Sequence, residues 1–358
     1  MGRILIIGGG VAGAAAALAV RKAGWDPVVY ERHPDNAEDL GAFLTLAANG
    51  HAALDQLDAA EAVGRAGFAL HTLEFAGRTK ALERTRCLRR GELCRVLQGE
   101  VVRRGIPVHH GRRLIDATED SSGVTARFAD GETVRGDLLL GADGLHSTVR
   151  ELLNPGVAPR YAGQRVFYGY SRLPEPPAEP GRIVMVRGGA AFGYAVSPGG
   201  EVYWFARVTS DPLPEATVPD PAWREQLLAL LRPDGTECAG IVEATQGPLL
   251  ATNARDLADV PRWRGERILL LGDAAHAASP ATGQGASMAL EDAVVLGKAL
   301  RDTGFPLETY ERLRRPRVEY NTAASARMSA GLPVAGTPPV DEEELARQLD
   351  WATALASP

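Results

Sequence analysis

The first thirty residues run in unbroken apolar blocks separated by tight turns, not in a single alternation of apolar and polar positions. Arg3-Ile4-Leu5-Ile6-Ile7 is a short β-branched run that reads as a strand buried on both faces. Gly8-Gly9-Gly10-Val11-Ala12-Gly13 interrupts it, and the Ala-rich stretch over residues 14–23 reads as a helix. Pro27-Val28-Val29-Tyr30 is a second such strand and ends at Glu31. Strand, tight turn, helix and strand open an α/β unit of the nucleotide-binding kind.

The pattern then departs from a simple βα repeat. Residues 41–46 read as a loop, 49–63 as a helix, and 69–76 and 79–88 as strands. Arg90-Gly91-Glu92-Leu93 opens a helix running to residue 104, and residues 106–109 return as a strand to the first sheet. Two runs, one starting at Leu114 and one over 124–128, flank Asp120-Ser121-Ser122-Gly123 and read as a hairpin. Asp137-Leu138-Leu139-Leu140-Gly141-Ala142-Asp143-Gly144 repeats the theme of an apolar strand ending in small residues and an acid. Between residues 155 and 261 the character changes to alternating runs rich in Tyr, Trp and Phe, such as Val166-Phe167-Tyr168-Gly169-Tyr170, which predict an antiparallel sheet. Arg267-Ile268-Leu269-Leu270-Leu271 then returns as a core strand. The expected organisation is a discontinuous nucleotide-binding domain over 1–154 and 262–330 that includes part of the substrate-side sheet. A substrate domain over 155–261 and a tail over 331–358 with one short helix complete it.

Composition narrows the class. A chain of 358 residues with 45% hydrophobic and 23% charged positions suits a soluble enzyme of about two domains. A net charge of −6 without a dense basic run argues against nucleic acid, and no apolar stretch is long enough to span a bilayer. Cys87, Cys94 and Cys238 lack C-x-x-C spacing and read as free thiols of a reducing, cytoplasmic protein, with no metal site. Arg3 before an apolar run superficially resembles a secretory signal, but the glycines interrupt it and Arg21-Lys22 leads into another strand.

The candidate chemistry lies in two glycine-rich segments. In the first, Gly8 permits the turn, Gly10 lets backbone N–H groups near Val11 and Ala12 approach a pyrophosphate, and Gly13 lets the helix pack close to its strand. Glu31 follows at roughly the 20-residue distance at which a carboxylate accepts from a ribose, which argues for an adenosine without a 2′-phosphate; the adjacent Arg32 leaves that open. The second segment is Gly272-Asp273, then Pro280 and Gly283-Gln284-Gly285-Ala286. Asp273 ends an apolar strand, where it can accept hydrogen bonds from a sugar-alcohol chain such as ribityl. The helix beginning near Ala286 places its positive end where a reduced flavin is negative. The two segments together indicate one extended cofactor held at both ends, FAD. Arg90 would neutralise its phosphates or flank its ring. His276 is read as a packing residue, Ser147 as a turn or cap residue, and His109-His110 as a strand end.

On these residues the chain resembles the class A FAD-dependent monooxygenases of the para-hydroxybenzoate hydroxylase fold, the flavoprotein aromatic hydroxylases. Four elements match in order over residues 1–330: the glycine fingerprint with Glu31, Arg90-Gly91-Glu92-Leu93, the Asp143-Gly144 element through Arg150, and Gly272-Asp273-Ala274-Ala275-His276 with Pro280, Gly283, Gln284, Gly285, Glu291 and Asp292. The resemblance implies an α/β fold, with a Rossmann-like FAD-binding domain, an inserted antiparallel-sheet substrate domain and C-terminal helices. It implies that Arg90 and Leu114 lie along the cofactor and that Asp143 serves both FAD and the pyridine nucleotide. It further implies that NADPH or NADH binds transiently and reduces FAD, and that a flavin C4a-hydroperoxide formed with O2 hydroxylates or epoxidises an aromatic or polycyclic small molecule. Natural-product tailoring or aromatic catabolism is the expected setting, and the expected state is a monomer or homodimer. A related reductase or dehydrogenase without oxygen insertion stays open, and no catalytic side chain is assigned. Tyr194, Tyr203 and Arg207 are the substrate candidates; Tyr203, Phe205 and Arg207 share a parity, and which face is inward stays open. Three positions depart from the family pattern: Ser287 where Asn is common, Asp39-Leu40 where Arg is frequent, and a short C-terminus.

Overall fold

The computed structural model describes residues 2–34, 43–214 and 219–355; the expectations for residues 39–42 lie outside them. At its centre is a five-stranded sheet in the order Ile268–Leu270, Leu138–Gly141, Arg3–Ile7, Asp26–Tyr30, Val108–His109, with every pair parallel. These strands are short apolar runs because both of their faces are covered, and Ile4 to Ile6 and Leu138 to Leu140 are buried. The helix Val11–Lys22 packs on the first two strands and also on the helix Gly285–Thr303. Small residues make that second contact possible, since a Cβ on Gly297 would lie 2.9 Å from the Cβ of Ala19.

The aromatic-rich stretch forms most of an eight-stranded sheet in the order Leu250–Asp256, Arg160–Arg172, Glu201–Thr209, Ala191–Val196, Arg182–Arg187, Phe68–Phe75, Arg78–Arg89, Phe43–Leu46. One face, with Phe167, Phe192, Tyr194 and Trp204, is covered by the helices Ala222–Leu231 and Cys238–Glu243. The other carries Phe43, Phe68, Leu70 and Tyr203. Phe43, on one edge strand, has its ring 5.7 Å from that of Tyr203, five strands away in the sheet order. The sheet therefore curls over this second face into a concave layer.

Several boundaries differ from the reading of the sequence. Residues 43–46 form an edge strand instead of a loop, its register set by pairing with Arg78–Arg89. The helix expected over 49–63 is two, Ala48–Gln56 and Ala60–Gly64, broken where Asp58 adopts φ 53°. The hairpin gains a third strand, Thr133–Gly136, and the tail helix, expected over 342–355, ends at Leu349. Among the described residues no helix is long and apolar enough to cross a membrane.

One buried charge cluster fastens the helices together. Arg314, in the helix Leu307–Ser329, is fully buried, with Nη1 2.7 Å from Glu291 Oε2 and Nε 2.7 Å from Asp292 Oδ1. Glu291 also accepts from Arg317 at 2.8 Å and from Asn49 Nδ2 at 2.7 Å. Asp292 Oδ2 accepts from the Gly272 N–H at 3.0 Å and lies 2.6 Å from His276 Nε2, whose ring stacks on Trp263. Burial alone would raise the Asp292 carboxyl, but His276 and Arg314 outweigh it and hold the group well below the usual carboxylate range. Glu291 is lowered in the same way, with Arg314 and Arg317 opposing burial.

A carboxylate depressed on folding contributes stability that is present above its unfolded value, about 4, and lost as pH falls through the lower folded value. Thermal melts should therefore show a Tm that declines below about pH 5, with a shallower decline in Asp292→Asn. Arg314→Met removes the cation shared by two buried carboxylates and should cost about 3–5 kcal/mol. An Arg314→Met melt within about 2 °C of the parent would remove the cluster from its structural role.

Candidate functional site

Because all five strands of the central sheet run the same way, the loops that follow them collect along one edge. Four of those loops carry residues singled out from the sequence. Gly8 adopts φ +102°, and a Cβ there would lie 2.4 Å from the Ala142 carbonyl oxygen. A Cβ on Gly13 would lie 1.8 Å from the Gly8 carbonyl oxygen, and one on Gly272 would lie 2.7 Å from the Ala12 Cβ. The first glycine turn, Ala142-Asp143 and Gly272-Asp273 are thus in mutual contact. Glu31 closes the group: its Oε2 accepts from the Gly9 N–H at 2.6 Å and its Oε1 from the His33 N–H at 2.8 Å. Gln98 Nε2 donates to the Gly9 carbonyl at 2.6 Å and pins the turn from the other side. A carboxylate has about four acceptor sites, so Glu31 retains capacity for a ribose.

Against this crowding, Gly10 is open: a Cβ there meets nothing within 4 Å, and it stands at the N-cap of the helix that starts with Val11 and Ala12. At the second segment, Gly283 adopts φ +65° and a Cβ on Gly285 would also meet nothing within 4 Å. Gly285 and Ala286 begin the 19-residue helix that runs to Thr303, so its positive end faces this open space. Pro280 is exposed at the turn, and its carbonyl accepts from the Gly283 N–H at 3.3 Å. Asp273 is half-buried at the sheet edge, and its carboxylate makes no protein hydrogen bond among the described residues. Ser287 is fully buried beneath the start of the helix Ala48–Gln56, where its Oγ accepts from the Ala47 N–H at 3.3 Å and occupies the space left by Gly50.

Other candidates sit differently. Asp143 accepts from the Ser147 hydroxyl and from the Val149 N–H at 3.1 Å, so its carboxylate braces the helix Thr148–Leu153 that Ser147 caps. Burial raises the Asp143 carboxyl, opposed by those hydrogen bonds. Arg32 is exposed, with Nε against the His33 ring nitrogen at 3.4 Å. Arg90 is exposed at the first turn of the helix Arg90–Arg103. Leu114 is 4% exposed and its side chain belongs to the main core.

The substrate candidates separate by face. Tyr194 lies on the helix-covered face, where its hydroxyl donates to Glu237 Oε1 at 2.6 Å, so alternation removes it from the group formed by Tyr203 and Arg207. Tyr203 lies on the concave face, with rings of Phe43, Phe68 and Tyr170 at 5.7, 5.3 and 4.7 Å. Burial raises the phenols of Tyr170 and Tyr203, which therefore stay protonated near neutrality. Arg89, not singled out from the sequence, lies over the Tyr170 ring at 4.3 Å and pairs with Glu201 at 3.3 Å. The concave face reaches the glycine loops through one strand: Thr45, 3.4 Å from the Cβ position of Gly283, is two residues from Phe43 and shares its face. Asn49 and Gln98 were also missed; both act through backbone or motif residues far away in sequence.

A cradle that tolerates no side chain at Gly8 or Gly13, two open helix starts, and unspent acceptors at Glu31 and Asp273 fit FAD. The FAD binding domain family matches residues 2–325. The chain is 34% identical over 342 residues to 3-amino-4-hydroxybenzoate 2-monooxygenase PtnB3 of Streptomyces platensis, covering 88% of this chain and 85% of that protein. It is 31% identical to aurachin C monooxygenase/isomerase of Stigmatella aurantiaca, covering 91% and 88%. Among solved structures, Klebsiella pneumoniae HpxO complexed with FAD and uric acid superposes with a TM-score of 0.80 at 28% identity, covering 91% of this chain and 87% of that one.

The two kinds of glycine should respond differently to a methyl group. Gly13→Ala drives a Cβ into backbone and should lower the Tm of the flavin-free protein by several degrees. Gly10→Ala should leave that Tm within about 2 °C yet weaken FAD binding about tenfold or more, read by fluorescence titration. Equal FAD affinity in Gly10→Ala and the parent would remove Gly10 from the cofactor cradle.

Proposed function

The chain belongs to the FAD binding domain family and to its class A FAD-dependent monooxygenases, and from that premise we propose that it uses NADPH or NADH and O2 to hydroxylate or epoxidise an aromatic or polycyclic small molecule. The observation that carries the substrate side is the concave aromatic face, which opens through Phe43 and Thr45 onto the start of the helix Gly285–Thr303. Relatives that act on an aminohydroxybenzoate and on aurachin C support a flat ring system as substrate.

The residues divide the work as follows. Glu31 accepts from the ribose hydroxyls, and the N–H groups of the helix starting at Val11 face the pyrophosphate. Asp273 accepts from the ribityl hydroxyls. The open start of the helix Gly285–Thr303 presents N–H groups and a positive dipole to the ring system. FAD, when bound, supplies electron acceptance from the nicotinamide and transfer of one oxygen atom to the substrate. Phe43, Phe68 and Tyr203 offer a flat apolar bed that orients an aromatic ring and excludes water beside the reacting position. No side chain at the site is assigned proton transfer.

Asp273→Ala should lower FAD affinity about 10- to 100-fold, because hydrogen bonds to a charged acceptor contribute about 1.5–3 kcal/mol. Turnover of an aromatic substrate under 18O2 should place one labelled atom in the product, with one equivalent of NADPH or NADH oxidised. Product free of label, at full consumption of the nicotinamide, would assign the chain to the reductases instead.

A further inference from the structure

The mouth of the curled sheet is spanned by one ion pair. Arg89 is the last residue of the strand Arg78–Arg89 and stands opposite Phe43 in register, which puts both side chains on the concave face. Glu201 opens the strand Glu201–Thr209, four places away in the sheet order, yet Arg89 Nη2 lies 3.3 Å from its Oε2. The curl is what brings such distant strands within reach of one side chain. The Arg89 guanidinium also lies 4.3 Å over the Tyr170 ring and 5.6 Å from the Tyr203 ring, and the Tyr203 hydroxyl is a further hydrogen-bond partner.

Register orders the aromatic rings beneath this clasp. Tyr170 stands opposite Tyr203, and Tyr168 opposite Phe205, one two-residue step of about 7 Å further along the same pair of strands. Tyr203 is already covered by the rings of Phe43 and Phe68, whereas Tyr168, Tyr170 and Phe205 are partly exposed. A guanidinium lying over a phenol ring fills the place that a second aromatic ring would take. What holds it there is modest, since the side chains of Arg89 and Glu201 are 49% and 26% exposed and water screens their pairing. The clasp therefore marks the outer limit of the bed without carrying the fold.

We infer that Arg89 sets the length of the substrate: with its guanidinium on Tyr170, the concave face admits one aromatic ring or one fused pair and excludes a further ring extending over Tyr170. This narrows the substrate class and rests on the monooxygenase reading above. Arg89 bounds the end of the substrate and takes no part in the chemistry. Glu201 acts through it, as a positioning residue that keeps the guanidinium turned inward over the ring.

The test uses the FAD-loaded protein and two probes that differ by one ring in line, phenol and 4-phenylphenol. Binding is read from the perturbation of the flavin absorption spectrum. Burying a whole aromatic ring strengthens binding by about tenfold or more. The parent should gain little of this, and the preference for 4-phenylphenol over phenol should be at least about fivefold greater in Arg89→Ala than in the parent. Glu201→Gln, which keeps the guanidinium and removes its tether, should shift the preference the same way by less; no shift there would remove Glu201 from its positioning role. A smaller rise in Arg89→Ala, or failure of both probes to bind that variant, overturns the inference. Melting of the flavin-free proteins gives an independent reading. A half-exposed pair contributes little, so Arg89→Ala should melt within about 4 °C of the parent, and a larger fall would mark Arg89 as a structural residue and overturn its role as a limit. If product lacks label from 18O2 while the preference shifts, the oxygenase reading falls and the length limit stands; labelled product with an unchanged preference removes the limit and leaves the chemistry.

Discussion

The arrangement of the whole cofactor edge depends on the pairing of Arg314 with Glu291 and Asp292. Adjacent positions on one helix point about 100° apart, so two consecutive acids reach two different neighbours. Glu291 reaches Asn49 and Arg317, while Asp292 reaches His276 and the N–H of Gly272. A single turn of the long helix thereby fixes the Gly272-Asp273 corner, the helix Ala48–Gln56 and the helix Leu307–Ser329 relative to one another. In low dielectric such a pairing is strong only with good geometry, and either sign left alone is costly, so the three elements are held in one arrangement. His276 gains its partner in this way, across sixteen positions, and helps to hold the corner.

With that corner fixed, the glycine turns can be read as consequences of crowding. Parallel strands bring the ends of Arg3–Ile7, Leu138–Gly141 and Ile268–Leu270 side by side, and the loops that leave them compete for the same volume. Gly8, Gly13 and Gly272 are glycine because backbone or a neighbouring Cβ already fills the place of a side chain. Gly10 and Gly285 instead stand at helix starts beside open, accessible space where a Cβ would meet no protein atom. The contrast within a single turn separates glycines that build the edge from glycines that leave room beside it.

Much of this was legible in the chain. Apolar runs gave the parallel strands, and the spacing of Glu31 and Asp273 from them placed both acids at the correct edge. The side chains that brace the surrounding turns were not legible, because Gln98, Asn49 and Arg314 meet Gly9, Gln284 and Asp292 across 89, 235 and 22 positions and belong to helices with no distinguishing pattern. The strand Phe43–Leu46 was hidden for a different reason: four residues at a sheet edge are too few for alternation to show. Arg90 drew attention through its motif, yet Arg89 is the one that reaches the aromatic rings, a difference of one position that turns a side chain through the boundary between strand and helix.

The face of the large sheet was the ambiguity that mattered most, and periodicity could not resolve it because both faces are apolar. Trp204 and Tyr194 bury against the helices Ala222–Leu231 and Cys238–Glu243, which lie within a stretch that reads as all sheet. Once those helices claim one face, parity assigns Tyr203, Phe205 and Arg207 to the other. The curl that brings Phe43 over Tyr203 then shields that face from water, and shielding is what turns Arg207 from an ordinary surface cation into an expensive one. The same curvature therefore encloses an aromatic-lined face beside the cofactor edge.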